Sequence, residues 1–227
     1  MEDPIRRELR EIVSSLKAFI RLERESGHTE YFSVPGERPL PLAGSLRWEE
    51  LERQMLCCKR CGLARSRNTV VIGTGDCAAR LVFVGEAPGG EEDLQGKPFV
   101  GRAGALLTKI IEAMGMTRER VYITNVLKCR PPNNRAPLPT EIAECRENVL
   151  RQIDLIRPKV VCTLGKFASQ TLLETDTPIT HLRGRFFDFR GIRLMPTFHP
   201  AYLLRNPQDK HLVWHDMKLI MKELAQS

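Results

Sequence analysis

The sequence predicts an α/β fold: a three-layer αβα domain around a central, mostly parallel sheet of four to five strands, with an N-terminal helical extension. Three observations carry the prediction. Short apolar runs alternate with stretches of helical periodicity along most of the chain, the pattern of right-handed βαβ units whose sheet is covered on both faces. The chain has 227 residues, 42% hydrophobic and 28% charged, enough for a sizeable core and unlike a disordered or fibrous composition. No apolar run approaches the roughly 20 residues that span a bilayer, and the start, Met1-Glu2-Asp3-Pro4-Ile5-Arg6-Arg7, lacks the apolar centre of a signal peptide. A cytoplasmic protein is expected.

Taken in order, residues 1–32 form an extension in which Ile5, Leu9, Ile12, Val13, Leu16, Phe19 and Ile20 follow the helical period over 4–24. That stripe is expected to pack on the body of the protein or to offer a protein contact. Residues 33–45 are rich in proline and glycine and lack periodicity, so they read as a linker to a domain over 46–227. Ser45 is placed to cap a helix reaching about Cys58, with Trp48, Leu51 and Met55 on one face. Strands are expected at 69–73, 81–85, 121–127, 159–164 and 193–198, and helices at 103–114, 140–156, 166–174 and 209–224. A hairpin joins 186–189 through Gly191 to 192–195.

In open α/β sheets, ligands bind beyond the carboxyl ends of the strands. Three such ends carry polar groups: Gly85-Glu86-Ala87-Pro88, Thr124-Asn125-Val126 and Phe198-His199-Pro200. A carboxylate, an amide and an imidazole are thereby predicted to meet in one crevice. Net charge is +7, from 35 Lys and Arg against 28 Asp and Glu; a polyanionic partner fits this but is not required by it.

Seven cysteines in such a chain do not read as a disulfide framework. Cys58 and Cys61 form a C-x-x-C pair that ends a helix, whereas a redox dithiol would open one. Cys129 and Cys145 add two thiols at a spacing too open for a zinc-ribbon knuckle, and Lys59 and Arg60 offer cations to offset thiolate charge. Both zinc and an iron–sulfur cluster accept four cysteines, and spacing does not choose between them. Cys57 is an adjacent alternative ligand, Cys77 a surface thiol in a turn, and Cys162 a small hydrophobe within a strand.

Gly85-Glu86-Ala87-Pro88-Gly89, with Glu91-Glu92-Asp93 and Gly96-Lys97-Pro98-Phe99-Val100-Gly101, resembles the first motif of the family 4 uracil-DNA glycosylases. Asn125-Val126-Leu127-Lys128-Cys129-Arg130-Pro131-Pro132 resembles their middle motif, and His199 through Pro207 their last. The likeness covers about residues 47–222. It implies that Cys58, Cys61, Cys129 and Cys145 hold one structural four-iron four-sulfur cluster. Family 5 lacks an acid at the position of Glu86, and a covalently trapping branch carries a histidine in an insertion after the middle motif; 131–137 has neither insertion nor histidine.

The resemblance further implies a monofunctional glycosylase of base excision repair. It would flip uracil out of DNA, hydrolyse the glycosidic bond and leave an abasic site. Phe99 would stack on the base, Asn125 would read O4 and N3–H, Glu92 would exclude the thymine methyl, and Ala87 would contact the base. His199 would donate to O2, with Glu86 aligning water or facing the sugar cation. Arg130, Tyr202, Leu203, Leu204 and Arg205 would meet DNA, one of the three apolar residues filling the gap. A glycosylase of wider scope, accepting hypoxanthine or xanthine, is the alternative in the same class. A non-catalytic iron–sulfur accessory protein is the alternative outside it, and the joint presence of Glu86, Asn125 and His199 argues against that one.

Overall fold

A computed structural model describes residues 42–226, with side chains from Arg47 onward. The helix expected at 4–24 and most of the 33–45 linker lie outside the described residues. The first described helix, α1 (Leu42–Leu56), begins inside the expected linker and three residues ahead of Ser45, which therefore does not cap it. Leu51 and Met55 are fully buried and cluster with Val70, while the Trp48 ring stands edge-on to Tyr122 at 5.4 Å.

Six strands form one sheet: β1 (Thr74–Gly75), β2 (Leu81–Gly85), β3 (Tyr122–Asn125), β4 (Val160–Leu164), β5 (Phe187–Phe189) and β6 (Ile192–Thr197), ordered β1-β3-β2-β4-β6-β5. The inner four are parallel, and the short edge strands run antiparallel to their neighbours. The count exceeds the expected four to five because each edge adds a stub. The expected strand at 69–73 does not form. Its first amides are engaged by a side chain, since Asp93 accepts from the backbone N–H of Asn68 and Thr69 at 3.0 and 3.3 Å, and only Thr74 and Gly75 pair with β3.

Alternation along the strands assigns the two faces. Leu81, Phe83, Ile123, Val160, Cys162 and Met195 pack in one cluster with α3 (Arg102–Ala113) and α8 (Lys210–Ala225). Val82, Val84, Tyr122, Val161 and Leu194 pack in the other with α4 (Pro139–Ile156) and α5 (Lys166–Leu173). Three layers follow, as the periodicities predict. Three short helices fall below the length at which periodicity is readable: α2 (Gly90–Gln95), α6 (Ile179–Leu182) and α7 (Pro200–Arg205). Among the described residues no helix is long and apolar enough to cross a membrane.

Candidate active site and cysteine centre

The carboxyl ends of β2, β3 and β6 open on a crevice of about 570 Å³, and Glu86, Ala87, Glu92, Phe99, Asn125 and His199 all line it. β4 lies between β2 and β6, so the segment after β6 must pass over the end of β4 to arrive there. Gly165 permits the passage: its φ is +89°, and a Cβ there would stand 2.9 Å from the Cβ of His199. Gly85 does the same at β2, where a Cβ would lie 2.3 Å from Asn125 Oδ1 and 2.6 Å from the Phe99 ring. Both glycines are empty on the side where functional groups crowd.

Asn125 is 1% exposed, and its Oδ1 accepts no hydrogen bond within the protein. A buried amide oxygen without a donor costs on the order of 1–3 kcal/mol; it suits a ligand that brings the donor. Phe99 is buried with φ +53°, and its ring lies 5.6 Å from that of His199, tilted by 31°. Glu92 holds this turn: Oε2 accepts from the Gly89 N–H at 3.1 Å, and Oε1 from Val100 and Gly101 at 3.1 and 3.2 Å.

His199 caps α7, its Nδ1 accepting from the Ala201 N–H at 3.0 Å. Accepting at Nδ1 leaves the proton of the neutral ring on Nε2. Burial pushes the imidazole pKa down to about 4; Arg205 acts in the same sense and Glu92 against it. Near neutral pH the ring is an uncharged donor. Burial pushes Glu86 the other way, up to about 7, so its carboxyl changes charge in the physiological range.

The expected DNA-facing residues divide. Leu203 is 1% exposed within the core and does not suit a wedge, whereas Leu204 on the same short helix is 38% exposed. Tyr202 and Arg205 line the crevice; the Tyr202 hydroxyl donates to Asp209 Oδ2 at 2.6 Å, and its ring packs on Phe198. The Arg130 guanidinium passes Gly90 and donates to Asn134 Oδ1 at 2.8 Å. Arg135, in the same proline-rich loop as Arg130, also lines the crevice, as does Arg102, which the sequence did not single out. Lys128 was missed as well: it is 2% exposed directly behind Asn125. Its signal was a lysine set inside the apolar run Val126-Leu127-Lys128-Cys129.

Cys58, Cys61, Cys129 and Cys145 line a single small cavity with Arg60, Arg67 and Lys128. Arg67 donates to Cys129 Sγ at 3.3 Å, and the Lys128 N–H and the Asn148 side chain donate to Cys145 Sγ at 3.4 and 3.6 Å. Burial pushes the Cys129 thiol up to about 11 against the pull of Arg67. Among the described residues, no three His, Cys, Asp or Glu side chains close on the position of one metal ion. The four sulfurs and their N–H donors instead form a soft, charge-compensated donor set, which fits a cysteine-bound cluster. Cys57 and Cys77 are exposed, and Cys162 is buried in β4.

Comparison with known proteins matches residues 72–218 to the uracil DNA glycosylase superfamily. Over 180 residues the chain is 42% identical to a type-4 uracil-DNA glycosylase of Archaeoglobus fulgidus, covering 76% of this chain and 90% of the relative. It is 50% identical over 151 residues to a type-4 uracil-DNA glycosylase of Thermotoga maritima, covering 66% and 79%. A third, from Sulfurisphaera tokodaii, is 43% identical over 186 residues, covering 78% and 84%.

Proposed function

Because the chain belongs to the uracil DNA glycosylase superfamily, we propose that it hydrolyses the bond between uracil and deoxyribose in DNA and leaves an abasic site. The observation that carries this reading is the unpartnered Asn125 Oδ1, buried in one crevice with Phe99, His199 and Glu86. Uracil presents an N3–H to that oxygen and O4 to the amide N–H. Cytosine presents the opposite polarity and would leave two buried groups mispaired, a strong basis for rejection.

Extrusion of the nucleotide from the stack costs a few kcal/mol, offset in part by stacking on Phe99, on the order of 1–3 kcal/mol per base. Ala87 lines the crevice beside Glu86 and completes the contact with the base. Glu92, held by three backbone donors, is a wall that does not swing aside for a 5-methyl group. As the N1–C1′ bond breaks, its electron pair leaves on uracil, and His199 donates from Nε2 to O2. A preorganised donor of this kind contributes about 2.7–4 kcal/mol. Ionised Glu86 has the charge both of its roles need, aligning the water and facing the sugar cation. The water oxygen bonds to C1′, and the proton it sheds ends on the departing base.

Leu204 is the wedge that fills the vacated stack, and Arg130 and Arg205 engage phosphates. Cys58, Cys61, Cys129 and Cys145 would hold one four-iron four-sulfur cluster, supplying a structural cross-link rather than electrons. The test incubates the protein with a uracil-containing oligonucleotide and then cleaves abasic sites with alkali. Strand breaks at uracil and none at cytosine or thymine are expected; tight binding without breaks would overturn the reading.

A further inference from the structure

Lys128 is among the most deeply buried large side chains of the protein, 2% exposed, and no step above uses it. Its Nζ has three acceptors, each at 2.6 Å: Thr124 Oγ1, the Asn125 backbone carbonyl and Gln152 Oε1. An ammonium has three N–H groups, and here each has its own acceptor. The acceptors are themselves held in place. Gln152 Nε2 donates to the Ile72 carbonyl at 3.0 Å and to the Tyr122 hydroxyl at 3.1 Å, which turns Oε1 toward the lysine. Thr124 Oγ1 donates to the Ile72 carbonyl at 2.7 Å, leaving its lone pairs for the same cation.

The lysine backbone is pinned as well, its carbonyl accepting from the Val71 N–H at 2.8 Å and its N–H meeting Cys145 Sγ. Within the intervening turn, the Val126 N–H donates to the Gly85 carbonyl at 2.9 Å and the Leu127 N–H to the Glu86 carbonyl at 3.0 Å. The side chain of Lys128 thus folds back over its own turn and clamps the peptide plane that follows Asn125.

From this juxtaposition we infer that Lys128 is a positioning residue: it fixes the direction in which the Asn125 amide faces the base. The inference rests on the proposed uracil-reading role of Asn125. The orientation of that amide depends on the Asn125 Cα–Cβ bond, and the neighbouring peptide plane aims that bond. No hydrogen bond inside the protein holds Oδ1, so the backbone must supply the alignment that the side chain lacks. Misplacement of a reacting or reading group by about 1 Å costs on the order of 100-fold in rate.

A double-mutant cycle on single-turnover uracil release tests the link. Lys128→Met is expected to lower the rate about 100-fold. Lys128→Met combined with Asn125→Ala is expected to match Asn125→Ala alone to within a few-fold, whereas Lys128→Met combined with His199→Ala multiplies the two losses. Multiplication in both pairs would overturn the inference while leaving the glycosylase reading intact; absence of uracil release by the wild type would overturn that reading instead. The Asn125 side-chain amide resonances report the same link without turnover: a single sharp pair in the wild type, broadened or multiple in Lys128→Met. An unchanged pair would also overturn the inference. Lys128→Arg keeps the charge but replaces a point donor with a planar fork, and the same cycle with it serves if the methionine variant does not fold.

Discussion

At the level of single residues, two groups in the crevice are moved in opposite directions by the same cause. Burial disfavours charge, so it lowers the imidazole of His199 to about 4 and raises the carboxyl of Glu86 to about 7. The unfolded chain therefore binds more protons at His199 between about 6.5 and 4, and stability from this group is lost as pH falls through that window. For Glu86 the folded state binds more protons between about 4.5 and 7, so its contribution is lost as pH rises through that range. In the proposed mechanism Glu86 acts ionised and His199 neutral. The single-turnover rate is expected to rise with pH to a plateau above about 7, and Glu86→Gln is expected to be slower and flat across the same range. A rise that persists in the glutamine variant would assign it to another group. Glu86, Asn125 and His199 were legible because polar residues at the ends of apolar strands have few structural uses. The clamping bonds of Glu92 and Lys128 were not, because they depend on how irregular turns fold back on themselves and, for Lys128, on Gln152 of α4, none of which periodicity records.

Among the elements, α7 shows where sequence reading stops. Six residues do not complete two helical turns, so the pattern does not say which leucine faces inward. The structure turns Leu203 into the core and Leu204 outward. Leu203→Ala is expected to cost about 2–5 kcal/mol of stability, read from the urea midpoint. Leu204→Ala is expected to leave that midpoint nearly unchanged and to weaken uracil release from duplex DNA more than from single strands, where no stack needs filling. Behind the same segment, Asp216 of α8 is fully buried, accepting from Thr197 Oγ1 at 2.6 Å and from Arg183. Arg183 also lies over the Phe198 ring at 5.5 Å. Asp216→Ala takes the carboxylate from the mostly covered Arg183 guanidinium, which keeps only the Leu212 carbonyl, and is expected to lose about 3 kcal/mol in denaturant unfolding. The missing strand at 69–73 has an equally local cause: Val70 and Val71 are buried as a strand's residues would be, but Asp93 engages the amides just before them, and no alternation of hydrophobicity reveals a remote carboxylate.

Across the whole molecule, layer order and the location of the crevice were readable from the alternation of short apolar runs with longer amphipathic ones. One edge was readable too, since the hairpin expected over 186–195 forms as β5 and β6; the other was not, because β1 has two residues and carries too little pattern to be seen. Four cysteines between positions 58 and 145 join the segment after α1, the turn after β3 and the middle of α4. Purified without chelator, the protein is expected to be brown and to contain about four iron and four acid-labile sulfide per chain. Cys145→Ser is expected to lose the colour and to melt at a lower temperature, as a chain relieved of a long-range cross-link does. A colourless preparation containing zinc alone would refute the cluster.

The order of these positions along the chain bears on synthesis. The last of the four thiols leaves the ribosome 54 codons ahead of His199, an interval of roughly 3–11 s at ordinary translation speeds. The strand leading into Glu86 and the one ending at Asn125 neighbour one another in the sheet, and both precede that thiol. All four thiols, and the carboxyl and amide that line the crevice, are thus already part of the nascent polypeptide while the codon for its imidazole is still unread.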